Sequence, residues 1–232
     1  IFFSKPYLLR KRAKRFLKKQ TEVEICHLNK LIDSSRASID IGVYRGVYSY
    51  FLTSLCSFVY AFEANPLLFS ELKKGFKNYK NIKLENLAVS SESGTANLKV
   101  PFRNQESNNH DIEELYQLGI ATIHDENRLD GYSFDTFNIK KTKLDNYNFS
   151  HKIGFIKIDV EGHEHDIILG ATNILKQFKP TLLVEIEERY TQRKNIETID
   201  LIKSHDYNCY TMQRDSKLIL VDEKNIKYIK NN

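Results

Sequence analysis

The sequence predicts an α/β domain built on a mostly parallel sheet with helices on both faces, and three observations lead there. From residue 37 onward, short β-like apolar runs alternate with segments of helical spacing, the pattern of parallel strands joined by crossover helices. At 232 residues, 41% hydrophobic with 14 Phe and 13 Tyr, the chain can bury one full core. The run "IGFIKIDV" (153–160) has the density of apolar residues expected of a buried strand.

The first twenty residues, "IFFSKPYLLRKRAKRFLKKQ", hold eight Lys or Arg and no acid. The overall net charge of +5 therefore hides a mildly acidic remainder of 27 basic and 30 acidic residues. The favoured reading of this segment is a solvated helix that packs one face on the domain. A second is an arm that binds anionic lipid headgroups or a polyanion, with Phe2, Phe3, Tyr7, Leu8, Leu9, Phe16 and Leu17 dipping into the interface. A third follows from the opening at Ile1, not Met: the cut end of a longer chain. The expected organisation is a basic N-terminal arm and helix over 1–36 and one catalytic domain over 37–232.

Within that domain "ASIDIGV" (37–43) is the first strand and "VYSYFLTSLC" (47–56) the first helix, with Val47, Tyr48, Phe51, Leu52 and Leu55 on one side. "FVYAFEA" (58–64) is the second strand, ended by Asn65-Pro66, and Pro66 suits the first turn of helix "PLLFSELKKGF" (66–76). "IKLENLAVS" (82–90) is a third strand, and after the turn "SSESG" the segment "TANLKVP" (95–101) alternates like a hairpin partner. Residues 102–133 are polar and break the rhythm, as a lid or acceptor loop does, with disorder as the competing reading.

The alternation resumes with "SFDTFNI" (133–139) as an edge strand, "TKLDNYNF" (142–149) as a short turn and helix, and the buried strand "IGFIKIDV". Ile167, Ile168, Ala171, Ile174, Leu175 and Phe178 trace the apolar stripe of one helix, which Lys179-Pro180 ends before the strand "TLLVEIE" (181–187). "IETIDLIKSH" (196–205) is the last helix, and "YNCYTM" with "KLILVD" forms an antiparallel pair. Cys26, Cys56 and Cys209 are odd in number and lack a CxxC pair, which argues against a disulfide framework or a thiolate zinc site. No run approaches the roughly 20 apolar residues of a spanning helix, and the start lacks a signal-peptide h-region, so a cytoplasmic protein is expected.

In a doubly wound sheet, ligands bind beyond the carboxyl ends of the strands, so the strand-end residues carry the chemistry. The first strand ends at Asp40-Ile41-Gly42, and Gly46 opens the following helix. A helix start there offers N–H groups and partial positive charge to an anionic or carboxylate-bearing ligand. Glu63 ends the second strand 21 positions after Gly42, where an acid accepts hydrogen bonds from ribose hydroxyls. Two ligands fit: a nicotinamide dinucleotide and S-adenosylmethionine. The dinucleotide fingerprint wants a third glycine where Ser49 stands, and G-x-x-x-G behind an acid better suits a ligand offering an ammonium and a carboxylate.

The segments "IDIGVYRGVYS", "VYAFEANP", "LENLAVSSESG", "TKLDNY", "FIKIDVEGHEHDIILGA" and "PTLLVEIE", in this order and spacing, resemble the FkbM-type family of S-adenosylmethionine-dependent methyltransferases over about residues 37–187. The resemblance implies a Rossmann-like class I methyltransferase fold with a mostly parallel, seven-stranded sheet. It implies that Asp40, Gly42 and Gly46 form the pocket for the methionine end, with Val43, Tyr44 and Ser49 in the same turn and helix start. Glu63 would hold the ribose, with Ala64 beside it, Asn86 to Ala88 would flank the adenine, and Asp159 would lie near the sulfonium and the acceptor. The chain departs from the usual Gly-Ala-Asn after the first strand by placing Val43 and Tyr44 after Gly42, where Arg45 could add a charge.

Asp159, Glu161, His163 and His165 alternate, a spacing that would align four metal-type ligands on a continuing strand. Gly162 interrupts that strand and residue 164 onward reads as helix, so no metal is expected. Asp159, Glu161 and His163 are instead the candidates for the base that takes an acceptor proton, with His163 slightly favoured for its near-neutral pKa. Glu185 faces the same rim as a substrate-binding or ion-paired acid. The resemblance implies O-methylation of a sugar, glycan or small-molecule hydroxyl, with S-adenosylmethionine as cofactor and no specific nucleic-acid partner. The alternatives are an NAD-dependent oxidoreductase and a non-catalytic binding module on the same fold.

Overall fold

The computed structural model describes residues 5–19, 22–102, 121–123, 133–186, 195–213, 215 and 217–222. Five strands form the central sheet: β1 (Ala37–Ile41), β2 (Phe58–Phe62), β3 (Ile82–Glu85), β7 (Ile153–Ile158) and β8 (Thr181–Val184). Their order is β3-β2-β1-β7-β8 and every pairing is parallel. The order reverses between β1 and β7, and that switch opens a crevice beyond the strand ends. The expected count of seven is not reached among the described residues, because β9 (Tyr210–Met212) and β10 (Leu218–Leu220) pair antiparallel only with each other.

Period-2 alternation sends each central strand's side chains to two cores. On one face Ile39, Ile41, Tyr60, Phe62, Ile156 and Ile158 pack under α5 (Glu164–Leu169), α6 (Thr172–Phe178) and α7 (Asn195–Lys203). On the other, Val59, Ala61 and Phe155 pack under α1 (Lys5–Lys19), α2 (Leu28–Leu31), α3 (Val47–Leu55) and α4 (Pro66–Gly75). Each large aliphatic fully withdrawn from water contributes about 1.5–3 kcal/mol, so these two layers supply most of the drive to fold. The basic N-terminal segment follows the favoured reading: α1 buries Leu9 and Ala13 against the domain and pairs Lys5 with Glu71 of α4. Among the described residues no helix is long and apolar enough to cross a membrane. Cys26, Cys56 and Cys209 are free thiols.

Three expectations change. The run 82–90 is not one strand: after β3 the chain turns at Asn86-Leu87, and β4 (Ala88–Val89) joins a second sheet of order β4-β6-β5. There β6 (Ser133–Thr142) runs past the expected end at 139: Lys141 and Thr142 pair parallel with β4, while 133–139 pairs only with β5 (Gly94–Phe102), antiparallel, and keeps its other side as an edge. The expected single helix over 167–178 is divided, because the carbonyl of Ser90 crowds Gly170, where a Cβ would lie 2.1 Å from that oxygen. Helix α6 then starts afresh on a cap from outside the helix, with Asp145 accepting the N–H groups of Asn173 and Ile174 at 3.0–3.1 Å. Most of the expected lid, 103–120 and 124–132, lies outside the described residues, but Thr122 between them pairs with Lys99 of β5.

Asp145→Ala removes that cap and leaves two first-turn amides without their acceptor. The expected cost is about 1 kcal/mol, read as a melting temperature lower by about 2–4 °C. An unchanged melting curve would show that α6 does not depend on it.

Candidate active site

The switch between β1 and β7 is held by a buried ammonium. Asp40 and Lys157 are register partners across the two strands, on the face covered by α3. Lys157 Nζ lies 2.9 Å from Asp159 Oδ2 and 3.9 Å from Asp40 Oδ1, and 4.7 Å from the centre of the Tyr48 ring. Burial pulls the Lys157 ammonium down, but Asp159 and Asp40 outweigh it and hold the pKa above the ordinary value. Burial lifts the Asp40 carboxyl, an effect that Lys157 and Ser49 partly offset. Asp40 also receives the Ser49 hydroxyl at 2.6 Å and the Ser49 backbone N–H, so it works as an interior cap on the first turn of α3.

One N–H of the helix start, that of Ser49, is thus already served by the protein's own carboxylate. The N–H groups of Gly42, Tyr44 and Gly46 are spent as well, on Phe62 O, Glu63 Oε2 and Val43 O. Both glycines answer to packing. A Cβ on Gly42 (φ 79°) would lie 1.8 Å from the Asp159 carbonyl oxygen, and one on Gly46 (φ 78°) would strike Phe76 and Leu72. Tyr44 takes the left-handed conformation without being glycine (φ 50°), held by its N–H to Glu63 at 2.8 Å.

Beyond the strand ends lies a cleft of about 300 Å³. Gly42, Tyr44, Glu63, Ala64, Ala88, Asp159, Glu161, His163 and Glu185 all line it, as expected from the sequence. Asp40, Val43, Gly46, Ser49 and Asn86 do not. Asp40 and Ser49 are sealed beneath it, Val43 turns into the core, and Asn86 braces the end of β2 by donating to the carbonyls of Glu63 and Ala64 at 2.8 and 3.0 Å. Leu87, Val89 and Leu98 add an apolar wall, with Ala121 and Ile123 from the short stretch paired to β5.

Glu63 is 6% exposed, and its two oxygens accept the N–H groups of Tyr44 and Asn65. Burial pushes its carboxyl up to about 7 against the pull of those amides. Strand β7 ends at Ile158, and the chain turns through Glu161 (φ 56°) and Gly162 (φ 96°) into α5. The alternating acids and imidazoles are dispersed by that turn. His163 Nε2 meets Ser90 Oγ at 3.0 Å, with Nδ1 3.8 Å from Asp166, while His165 lies near Thr198. No metal-type cluster forms among the described residues. Glu164 folds under the turn and accepts the Gly162 N–H at 2.9 Å, and burial lifts its carboxyl to about 7.

Sequence reasoning missed Lys157, Ser90, Glu22 and Glu164. Lys157 carried a usable signal, a lone cation inside an apolar strand two residues before Asp159. Glu22 carried none: it reaches the cleft from the segment before the sheet, where its carboxylate meets the Tyr48 hydroxyl. Lys157→Met should strip Asp40 of its counter-charge and cost about 3–5 kcal/mol, measured by urea denaturation. Adding Asp40→Asn removes the stranded charge and should recover part of the loss; no recovery would sink the pairing.

The family model for the methyltransferase FkbM domain matches residues 40–209. No curated protein matches the chain. Among solved structures, the methyltransferase FkbM from Methylobacillus flagellatus KT is 13% identical, covering 76% of this chain and 37% of its own, with a TM-score of 0.45. The precorrin-6y C5,15-methyltransferase from Geobacter metallireducens GS-15 is also 13% identical, covering 86% and 84%, with a TM-score of 0.43. The chain thus spans little more than a third of the length of the first. With the family match running through the strand ends that build the cleft, the chain belongs to the FkbM methyltransferase domain family.

Proposed function

We propose that the cleft binds S-adenosylmethionine and that the chain transfers its methyl group to a hydroxyl of a sugar or glycan. The observation that carries this reading is the pairing of a buried carboxylate, Glu63, with an apolar wall of Leu87, Ala88, Val89 and Leu98. That is the chemistry of a ribose-and-adenine site. Each Glu63 oxygen takes one backbone N–H and keeps a lone pair for a ribose hydroxyl. Strand order sets the ends of β2 and β7 two strands apart, about 10 Å, so a nucleoside at Glu63 points its substituent toward Asp159 and Glu161.

S-adenosylmethionine supplies a methyl carbon on a sulfonium, and the carbon–sulfur pair stays on sulfur as the new carbon–oxygen bond forms. The acidic groups Asp159, Glu161 and Glu22 at that end of the cleft favour a cation and orient the acceptor. The acceptor proton goes to Glu161. A strained left-handed turn (φ 56°) holds Glu161 at the cleft, beside Asp159 and His163 on the same lining. The three free thiols suit a reducing compartment, so the cytoplasm is the proposed site of action.

Incubation with methyl-labelled S-adenosylmethionine and a sugar panel should place label on an ether oxygen; label on nitrogen or carbon would overturn the acceptor class. Glu161→Gln should lower turnover by about 10²–10⁴ with S-adenosylhomocysteine affinity kept; an unaltered rate would exclude it as the base.

Glu63 accepts ribose hydroxyls best when ionised. Calorimetric affinity for S-adenosylhomocysteine should therefore rise as pH climbs through about 7, and Glu63→Gln should lose that dependence. The sign for stability is opposite. A carboxyl raised to about 7 in the folded chain contributes stability in full below its ordinary pKa near 4.5 and loses it as pH rises through 7. A pH-independent affinity in the unsubstituted protein would remove Glu63 from the ribose site.

A further inference from the structure

We propose that a basic groove beside the cleft binds the phosphate of a phosphorylated acceptor and presents the acceptor's hydroxyl to the methyl donor. This rests on the methyl-transfer reading above and adds the acceptor's chemical class. The groove, of about 740 Å³, runs between α1 and the turn from β1 to α3. Helix α1 lines it with Leu8, Lys11, Arg12, Arg15, Phe16 and Lys19. Their spacing of i, i+3, i+4, i+7, i+8 and i+11 makes one continuous stripe. Arg45 adds a fifth cation from the opposite wall. Arg12 Nη1 donates to the Arg45 carbonyl at 3.3 Å, which ties the two walls together, and the Arg45 guanidinium lies over the Tyr44 ring.

The groove and the cleft are continuous, since both are bounded by Glu22, Gly42, Tyr44 and Asp159. The charge along this path is graded. Glu22 and Asp159, with Lys157 between carboxylates, stand at the shared end, and the five cations lie on the stretch away from it. An acceptor whose phosphate sits among the cations is thereby oriented with its uncharged end toward the cleft. Paired guanidinium groups suit phosphate because their forked N–H donors match its oxygens, and Leu8 and Phe16 give an apolar strip along the body of the ligand. Concavity favours a discrete phosphate over a lipid surface. A flat bilayer would meet the cations on the outer side of α1, Arg10, Lys14 and Lys18, none of which lines the groove.

Those outer residues supply the control. The variant Lys11→Ala/Arg15→Ala/Lys19→Ala removes the same charge as Arg10→Ala/Lys14→Ala/Lys18→Ala but from the groove. Calorimetric titration with inorganic pyrophosphate at low salt should give similar affinity for the unsubstituted protein and the outer variant, and a Kd raised about tenfold or more in the groove variant. Flotation with phosphatidylglycerol vesicles, where it occurs, should fall at least as far in the outer variant as in the groove variant. Equal pyrophosphate losses in both, absence of binding to the unsubstituted protein, or vesicle binding lost only in the groove variant would each overturn the proposal. S-adenosylhomocysteine titrated into the same proteins tests the methyl-transfer reading separately. Its failure to bind the unsubstituted protein would sink that reading while the pyrophosphate result still reports on the groove.

Discussion

The site depends on one buried cation. Lys157 is 5% exposed, in a strand whose other inward positions are apolar, and an ammonium is tolerable there only because two carboxylates meet it. Asp40 approaches from the neighbouring strand and Asp159 from beyond the end of its own. The triad therefore fixes the relative height of β1 and β7 at the point where the sheet's order reverses. Asp40 carries the constraint one layer out by holding Ser49 in the first turn of α3. Strand ends, turn and helix start are placed by a single set of charges, and the cleft is the space they leave.

The same constraint explains the glycines. A motif of two glycines after a strand invites the reading that a ligand needs the room. Here the Asp159 carbonyl, just past the end of β7, fills the place of a Gly42 Cβ, and the side chains of Leu9, Leu72 and Phe76 fill that of Gly46. The residue types of the motif record how closely the protein packs on itself, and the ligand surface is made by their neighbours. Reading Gly42 and Gly46 as markers of a strand end points to the turn beside the cleft; the roles of their N–H groups and of Asp40 follow only from the third dimension.

Much of the fold was legible because the central strands and the helices between them bury whole faces, and burial writes its period into the sequence. The positions of β1, β2, β7, α3 and α4 follow from that period within a residue or two. What was illegible depends on contacts between distant segments. Nothing local says that "IKLENLAVS" turns at Asn86, because the amide that holds the turn bonds to carbonyls on the next strand. Nothing local divides the stripe from Ile167 to Phe178, because the Ser90 carbonyl and the Asp145 carboxylate that shape the break come from elsewhere in the chain. Asp159, Glu161 and His163 could be named as neighbours from sequence. That His163 meets Ser90 at the cleft wall and that Glu161 enters a left-handed turn beside it are features spacing does not encode.

Tyr44 sits where these strands of argument meet. The conformation at φ 50° favours Gly or Asn, and a tyrosine there bears a steric cost that the Glu63 carboxylate helps offset by accepting its N–H. The ring is half-exposed, borders both the acidic cleft and the basic groove, and carries the Arg45 guanidinium on its face. A short amide at this position would widen the passage the two spaces share and leave Arg45 without its platform. The bulk of Tyr44 instead narrows the join between the acidic cleft and the basic groove. Tyr44 thus stands where an acidic cleft and a basic groove meet, and its backbone and ring are each held by a charged neighbour, Glu63 and Arg45.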